Sequence, residues 1–112
     1  MAVRFVQDGA SIDYTPTADV AAGAVVVQGE LVGVTKRVIE ANRLGALAVA
    51  GVFDFPKATG TGSGITAGAN VYWDVADQVA KTNAETGANK LIGKTVRAAA
   101  DADATVRVRL SQ

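Results

Sequence analysis

The sequence predicts an all-β protein, a small barrel or sandwich of about eight short strands with at most one short helix. Valine and threonine, 17 and 10 of the 112 residues, favour strands, because branching at Cβ restricts χ1 in helices and packs well on a pleated sheet. Twelve glycines with only two prolines suit many tight turns. The length is that of one β domain, residues 1–112, and we expect residues 1–10 to form an extended arm that contacts a neighbour.

The first half predicts one strand and one hairpin after a turn at Asp8-Gly9. Residues 11–15 alternate, which places Ile12 and Tyr14 on one face of a strand. Residues 24–28 and 31–35 flank Gly29-Glu30, a two-residue loop of the hairpin type with glycine first.

The second half predicts a buried strand and two further hairpins. Residues 46–55 are the most apolar segment, and their continuous character is typical of a single strand covered on both faces. Residues 70–73 and 78–81 form a second hairpin across 74–77. Residues 91–98 and 105–110 form a third through 99–104, and this spacing of strands is typical of barrels and sandwiches.

One segment has two interpretations. Residues 36–44 (KRVIEANRL) form either a short helix that ends at Gly45 or an extended connection. Nine residues are marginal for a helix.

A weak internal echo joins the two halves. Residues 20–25 (VAAGAV) and 65–70 (ITAGAN) share an apolar-x-Ala-Gly-Ala pattern, and each leads into a strand. A β-branched side chain would dock on the core, and the glycine would allow a turn with positive φ. The echo predicts two similarly built hairpins.

Composition excludes several classes of function. Eleven Lys/Arg balance eleven Asp/Glu, which argues against binding nucleic acid or an anionic membrane by bulk charge. Cysteine and histidine are absent, which removes disulfides, thiolate ligands and the usual general base. The longest apolar runs are too short for a membrane helix, and no secretory signal is visible. We expect an intracellular, soluble, non-catalytic protein with no cofactor and no metal.

Two candidate chemical sites have structural explanations. Residues 60–64 (GTGSG) resemble a phosphate loop in composition, but a strand follows instead of a helix, which favours a mobile surface loop. The pairs Asp74/Asp77 and Asp101/Asp103 lie where turns are predicted, and aspartate favours turns by accepting hydrogen bonds from nearby amides. Neither pair provides the oxygens of a calcium loop.

Three residues are candidates for an interface. Residues 106–110 alternate, so Arg107 and Arg109 share one face, either a solvated surface or a contact with carboxylates of a partner. Trp73 is either core or a subunit contact, because tryptophan anchors interfaces when its ring is exposed.

Several runs along the whole chain resemble a known family. They include the Gly-Val-Phe run at 51–53 followed by Pro56, and the run GANVYWD at 68–74. The chain resembles capsid cement, or head-decoration, proteins of tailed phages and prophages, members of which are sometimes labelled recombinase-like.

The resemblance implies a structural virion protein that binds the outside of the expanded head and stabilises it. It implies the major capsid protein as partner, a homotrimer, synthesis in the bacterial cytoplasm and a place on the capsid exterior. We expect Arg4, Phe5 and Val6 of the arm to contact the capsid or a neighbouring copy. The alternatives are a phage tail or baseplate subunit, an adhesin module, and a ligand-binding β-barrel or enzyme.

Overall fold

A computed structural model describes residues 2–111, which form nine β-strands and one short 3₁₀ turn. The strands are β1 (Ser11–Tyr14), β2 (Val25–Gln28), β3 (Leu31–Val34), β4 (Gly45–Ala48), β5 (Gly51–Pro56), β6 (Asn70–Asp74), β7 (Val79–Lys81), β8 (Lys90–Thr95) and β9 (Thr105–Leu110). The 3₁₀ turn spans Glu85–Gly87, and these 110 residues contain no α-helix. The predicted all-β class is confirmed.

The first sheet has the antiparallel order β1-β4-β3-β2. The β2–β3 hairpin turns at Gly29-Glu30, as predicted, and Gly29 adopts a φ of 61°. Glycine reaches this left-handed region at no steric cost because it has no Cβ. In β1 the predicted alternation is also present: Ile12 and Tyr14 are half-buried, and Ser11 and Asp13 are exposed.

The second sheet has the order β5-β9-β8-β6-β7, and the two predicted hairpins are its β6–β7 and β8–β9 pairs. A parallel bridge between Lys57 and Ala80 joins the end of β5 to β7. The sheet therefore curls until its two outer strands meet, and forms a small barrel. Between residues 2 and 111, no such bridge joins β1 to β2, so the first sheet is open.

The main core fills this barrel. Trp73 and Phe55 are its largest side chains, and they pack with aliphatic residues of β6, β8 and β9. Val32 and Val34 of β3 belong to the same cluster. The first sheet therefore packs on the second mainly through β3, and large apolar side chains are concentrated in one half of the chain.

The sequence echo is a structural repeat that centres on two buried threonines. In the first half the hydroxyl of Thr35 donates to the Ala21 carbonyl (2.7 Å) and accepts from the Ala24 amide (2.9 Å). The backbone carbonyl of Thr35 accepts from the amide of Gly23, whose φ is 78°. One hydroxyl thus holds the turn that leads into β2.

The second half contains the same arrangement. The hydroxyl of Thr95 donates to the Thr66 carbonyl (2.6 Å) and accepts from the Ala69 amide (3.0 Å). Its backbone carbonyl accepts from Gly68, whose φ is also 78°. The predicted similarity of the two segments therefore extends to individual hydrogen bonds.

The strands repeat as well. The order β1-β4-β3-β2 corresponds to β5-β9-β8-β6, and β7 is an addition where the first half has only Gly29-Glu30. Val34 lies opposite Ala48 as Lys94 lies opposite Arg109. We call residues 11–49 the first repeat and residues 51–110 the second repeat.

The prediction of one strand over residues 46–55 is wrong. The segment forms β4 and β5, which belong to different sheets and are separated by residues 49 and 50; β5 begins at Gly51, where φ is 125°. Ala46 and Val52 are exposed, so the segment is not covered on both faces. A continuous apolar run looks the same in the sequence whether it forms one strand or two consecutive strands in different sheets.

Residues 36–44 form an irregular connection with a bend at 36–37, a bridge at Ile39 and a turn at 41–42, and the helix alternative is wrong. Ile39 exchanges both backbone hydrogen bonds with Val20, at 2.8 and 2.9 Å. Ile39 is buried, and Gly45 lies against its side chain. This long-range bridge uses the amide and carbonyl that a helix would need, so tertiary pairing overrides a marginal local preference.

Candidate interaction surface

The N-terminal arm is exposed throughout. Residues 2–10 contain no strand, and every one of them is exposed. Phe5 is 78% exposed, and Val3 and Val6 are still more exposed. Exposed aromatic and aliphatic side chains in sequence mark a contact site more often than scattered single ones do. The arm, defined as residues 2–10, has this property and carries the predicted residues Arg4, Phe5 and Val6.

Trp73 is not an exposed anchor. Only 2% of it is accessible, and its ring centroid lies 6.1 Å from that of Phe55. Alternation along β6 places Trp73 and Val71 inside the barrel and Tyr72 on the other face. The prediction that Trp73 forms a subunit contact is therefore corrected to a core position.

The arginines of β9 lie on the outer face, as predicted, with Val106, Val108 and Leu110 buried on the other. Arg107 makes two hydrogen bonds to Asp54 of the neighbouring β5, at 2.9 and 3.2 Å. These bonds lower the pKa of Asp54 below its usual value and raise the pKa of Arg107. The carboxylate partner expected for Arg107 is thus within its own chain.

Arg109 is different. It is exposed and lies directly opposite Lys94 of β8, which is also exposed. Directly opposed like charges destabilise a sheet unless a counter-charge is near, and neither cation forms an ion pair within the described residues 2–111. We call Lys94 and Arg109 the basic pair.

A groove lies on the outer face of the first repeat, between β1, β4 and the connection 36–44. Its volume is about 580 Å³. We call it the first groove, and its lining residues are Ser11, Asp13, Lys36, Arg37, Val38, Ile39, Leu44, Gly45, Ala46 and Ala48.

The second repeat has a smaller groove at the equivalent place. Its volume is about 150 Å³. We call it the second groove, and its lining residues are Asp54, Arg97, Ala98, Ala99, Asp103, Ala104, Thr105 and Arg107. Asp13 of β1 faces Ala46, whereas Asp54 of β5 faces Arg107. The register of the two sheets thus makes Ala46 the counterpart of Arg107.

The glycine-rich segment 60–64 is a turn bound to its own chain. The Asp101 carboxylate accepts from the amides of Gly62 (3.3 Å) and Gly64 (2.6 Å). The Ser63 hydroxyl donates to the Asp101 carbonyl at 3.0 Å. An internal carboxylate thus occupies amides that a phosphate would use, which agrees with a surface loop rather than a phosphate loop.

The predicted turn role is confirmed for Asp74 and Asp103, whereas Asp77 binds Lys81 and Asp101 binds the distant 60–64 segment. The carboxylate of Asp74 accepts from the Asp77 amide, and that of Asp103 from the Ala100 amide. A hydrogen bond from Lys81, 2.7 Å away, is the main cause of a lowered pKa at Asp74, and the same contact raises the pKa of Lys81. Within residues 2–111 no three acidic side chains gather in a group that could hold a metal ion.

The part of the chain that the structure describes includes no helix with the length and apolarity needed to cross a membrane. The two grooves and the basic pair were not predicted from the sequence. The repeat pattern was the available signal for the grooves, because an alignment of the two halves of the sequence would have matched Asp13 with Asp54.

Comparison with known proteins identifies one family. The family described as "Phage cement protein" matches residues 6–110. No curated protein and no solved structure matches the chain.

Proposed function

We propose that this chain, which belongs to the phage cement protein family and is a structural protein of a phage, binds the outer surface of the capsid and stabilises the expanded head. The observation that carries the proposal is the family match, which spans nearly the whole chain. Two features of the fold support it. Large side chains are concentrated in the core of the second repeat, and the arm exposes apolar side chains that are available to a partner.

The stabilising effect would follow from mass action. A protein that binds only the assembled shell favours that shell by RT ln(1 + [L]/Kd), about 2.7 kcal/mol per site when free protein is at 100 times Kd. Attachment as a homotrimer would add avidity, because the second and third contacts form at high effective concentration. Neither effect needs a reacting group on the chain.

The basic pair supports a specific contact with the major capsid protein. Lys94 and Arg109 oppose each other on the outer face, and the neighbouring Arg107 is already neutralised by Asp54. A carboxylate-bearing capsid surface would remove the like-charge repulsion on binding. The contact would weaken with salt, since exposed charges are screened over about 8 Å at physiological ionic strength.

Binding to heads that lack the protein tests this proposal. Purified heads are mixed with wild type, Arg109→Glu or the control Arg43→Glu, and the bound fraction is measured by sedimentation. We expect saturable binding of wild type and Arg43→Glu, and affinity at least about tenfold lower for Arg109→Glu. Equal binding of all three would refute the role of the basic pair. No binding of wild type, or electron-microscopy label confined to tails, would refute capsid attachment.

A further inference from the structure

The residue that lies opposite the equivalent aspartate differs between the two repeats: it is Ala46 opposite Asp13 and Arg107 opposite Asp54. In the second groove the Arg107 guanidinium crosses from β9 and makes two hydrogen bonds to Asp54. In the first groove the residue at that place is Ala46, and the Asp13 carboxylate forms no hydrogen bond or ion pair with any residue from 2 to 111. The first groove, at about 580 Å³, is larger than the second, at about 150 Å³.

The rim of the first groove is also more apolar. Val38 and Leu44 are 65% and 71% exposed, and their counterparts in the second groove are Ala98 and Thr105. Lys36 and Arg37 line the same groove as Asp13 and add positive charge to it. A matching occupant needs a guanidinium for Asp13, apolar side chains for the rim and a carboxylate for the cations.

The arm of this same chain has that composition. Arg4 lies among Val3, Phe5 and Val6, and Asp8 follows four residues after Arg4. An extended segment of this length spans about 13–14 Å between residues 4 and 8. None of residues 2–10 lines the first groove of its own chain, and all of them are exposed.

We propose that the arm of one copy fills the first groove of a second copy, where the Arg4 guanidinium takes the place beside Asp13 that Arg107 takes beside Asp54. Phe5 and its neighbours cover the rim at Val38 and Leu44, and Asp8 meets Lys36 and Arg37. Each copy then gives one arm and receives one, so the contact is head-to-tail and closes into a ring when the rotation between copies allows. The contact itself is independent of the proposed function, and only the expectation of three copies in the ring rests on the homotrimer proposed above.

Engineered cysteine pairs test the contact without heads, because the native chain has no cysteine. In the variant Phe5→Cys/Leu44→Cys, mild oxidation should link chains, and the products on a non-reducing gel should end at one closed species. The control Phe5→Cys/Val75→Cys places the second thiol on an exposed valine of the second repeat. Linkage in the control to the same extent, or linkage only within single chains, would overturn the proposal.

Charge reversal tests the pairing itself. Arg4→Asp and Asp13→Arg should each raise the dissociation constant of the assembly about tenfold or more, and the double variant should recover most of the loss. The control Arg97→Asp reverses an exposed charge of the second groove and should leave association unchanged. Association measured by sedimentation velocity that is insensitive to both reversals, a double variant that stays weak, or a wild-type monomer at all concentrations would overturn the inference.

Discussion

Replacing either repeat threonine with valine should destabilise the protein by about the same amount. Thr35 and Thr95 are 1% and 4% exposed, and each hydroxyl makes one donated and one accepted hydrogen bond at 2.6–3.0 Å. Valine has nearly the same shape, so the substitution removes two bonds and leaves one carbonyl and one amide without a partner. A buried polar group without a partner costs about 1–3 kcal/mol, and the low end of this range applies because Ala21 and Thr66 are exposed residues whose carbonyls water reaches. The added methyl offsets part of the cost.

We therefore expect each substitution to lower the free energy of unfolding by about 2 kcal/mol, and the melting temperature by about 8 °C for a chain of this size. The two threonines lie in separate turns with no shared hydrogen-bond partner, so the double variant should lose about 4 kcal/mol. Urea unfolding at fixed protein concentration measures these values. The control Thr105→Val changes an exposed threonine and should stay within about 0.5 kcal/mol of wild type.

Unequal losses of stability in the two valine variants would contradict the equivalence of the two turns. If one valine variant lost 2 kcal/mol and the other less than 0.5 kcal/mol, the two turns would not be energetic equivalents. If both were as stable as the Thr105→Val control, the buried hydroxyls would contribute nothing to the fold.

Three further substitutions separate core from surface roles. Trp73→Ala should cost about 3–5 kcal/mol of stability because the indole is in the core. The control Val75→Ala changes an exposed side chain and should cost under about 0.5 kcal/mol. Equal effects of the two substitutions in calorimetry would contradict a core position for Trp73. The lowered pKa of Asp74 adds stability above the unfolded value of about 3.9, and this is lost as pH falls through the folded pKa. The stability difference between wild type and Asp74→Asn should therefore shrink from pH 5 to pH 2, and a constant difference would contradict the Lys81 contact. Asp101→Ala should expose the 60–64 loop to proteolysis, since the amides of Gly62 and Gly64 lose their acceptor. An unchanged cleavage rate would show that the Asp101 carboxylate does not hold the loop in place.

Local features of the fold were predictable from the sequence. The Gly29-Glu30 hairpin follows from the glycine and the flanking apolar runs, and the outward arginines of β9 follow from strict alternation. The echo around Gly23 and Gly68 marked the two turns that Thr35 and Thr95 stabilise. Each of these features depends on residues close together in the chain, where steric rules and period-two patterns act directly.

Features that depend on register were not predictable. Alternation placed Tyr72 and Trp73 on opposite faces, but only the curl of the second sheet determines which face is inside. The first groove depends on Ala46 lying opposite Asp13, a pairing between residues more than 30 positions apart. Arg4, Phe5 and Val6 stay predictions, since they concern contacts between chains.

If this protein holds an expanded phage head together, as proposed, heads that carry it should resist heat better than heads without it. Heads without the protein are incubated with increasing amounts of it and then heated, and release of packaged DNA is followed by dye fluorescence. The release temperature should rise with occupancy and level off when the sites are full. A release temperature that does not change at full occupancy would contradict the proposed role.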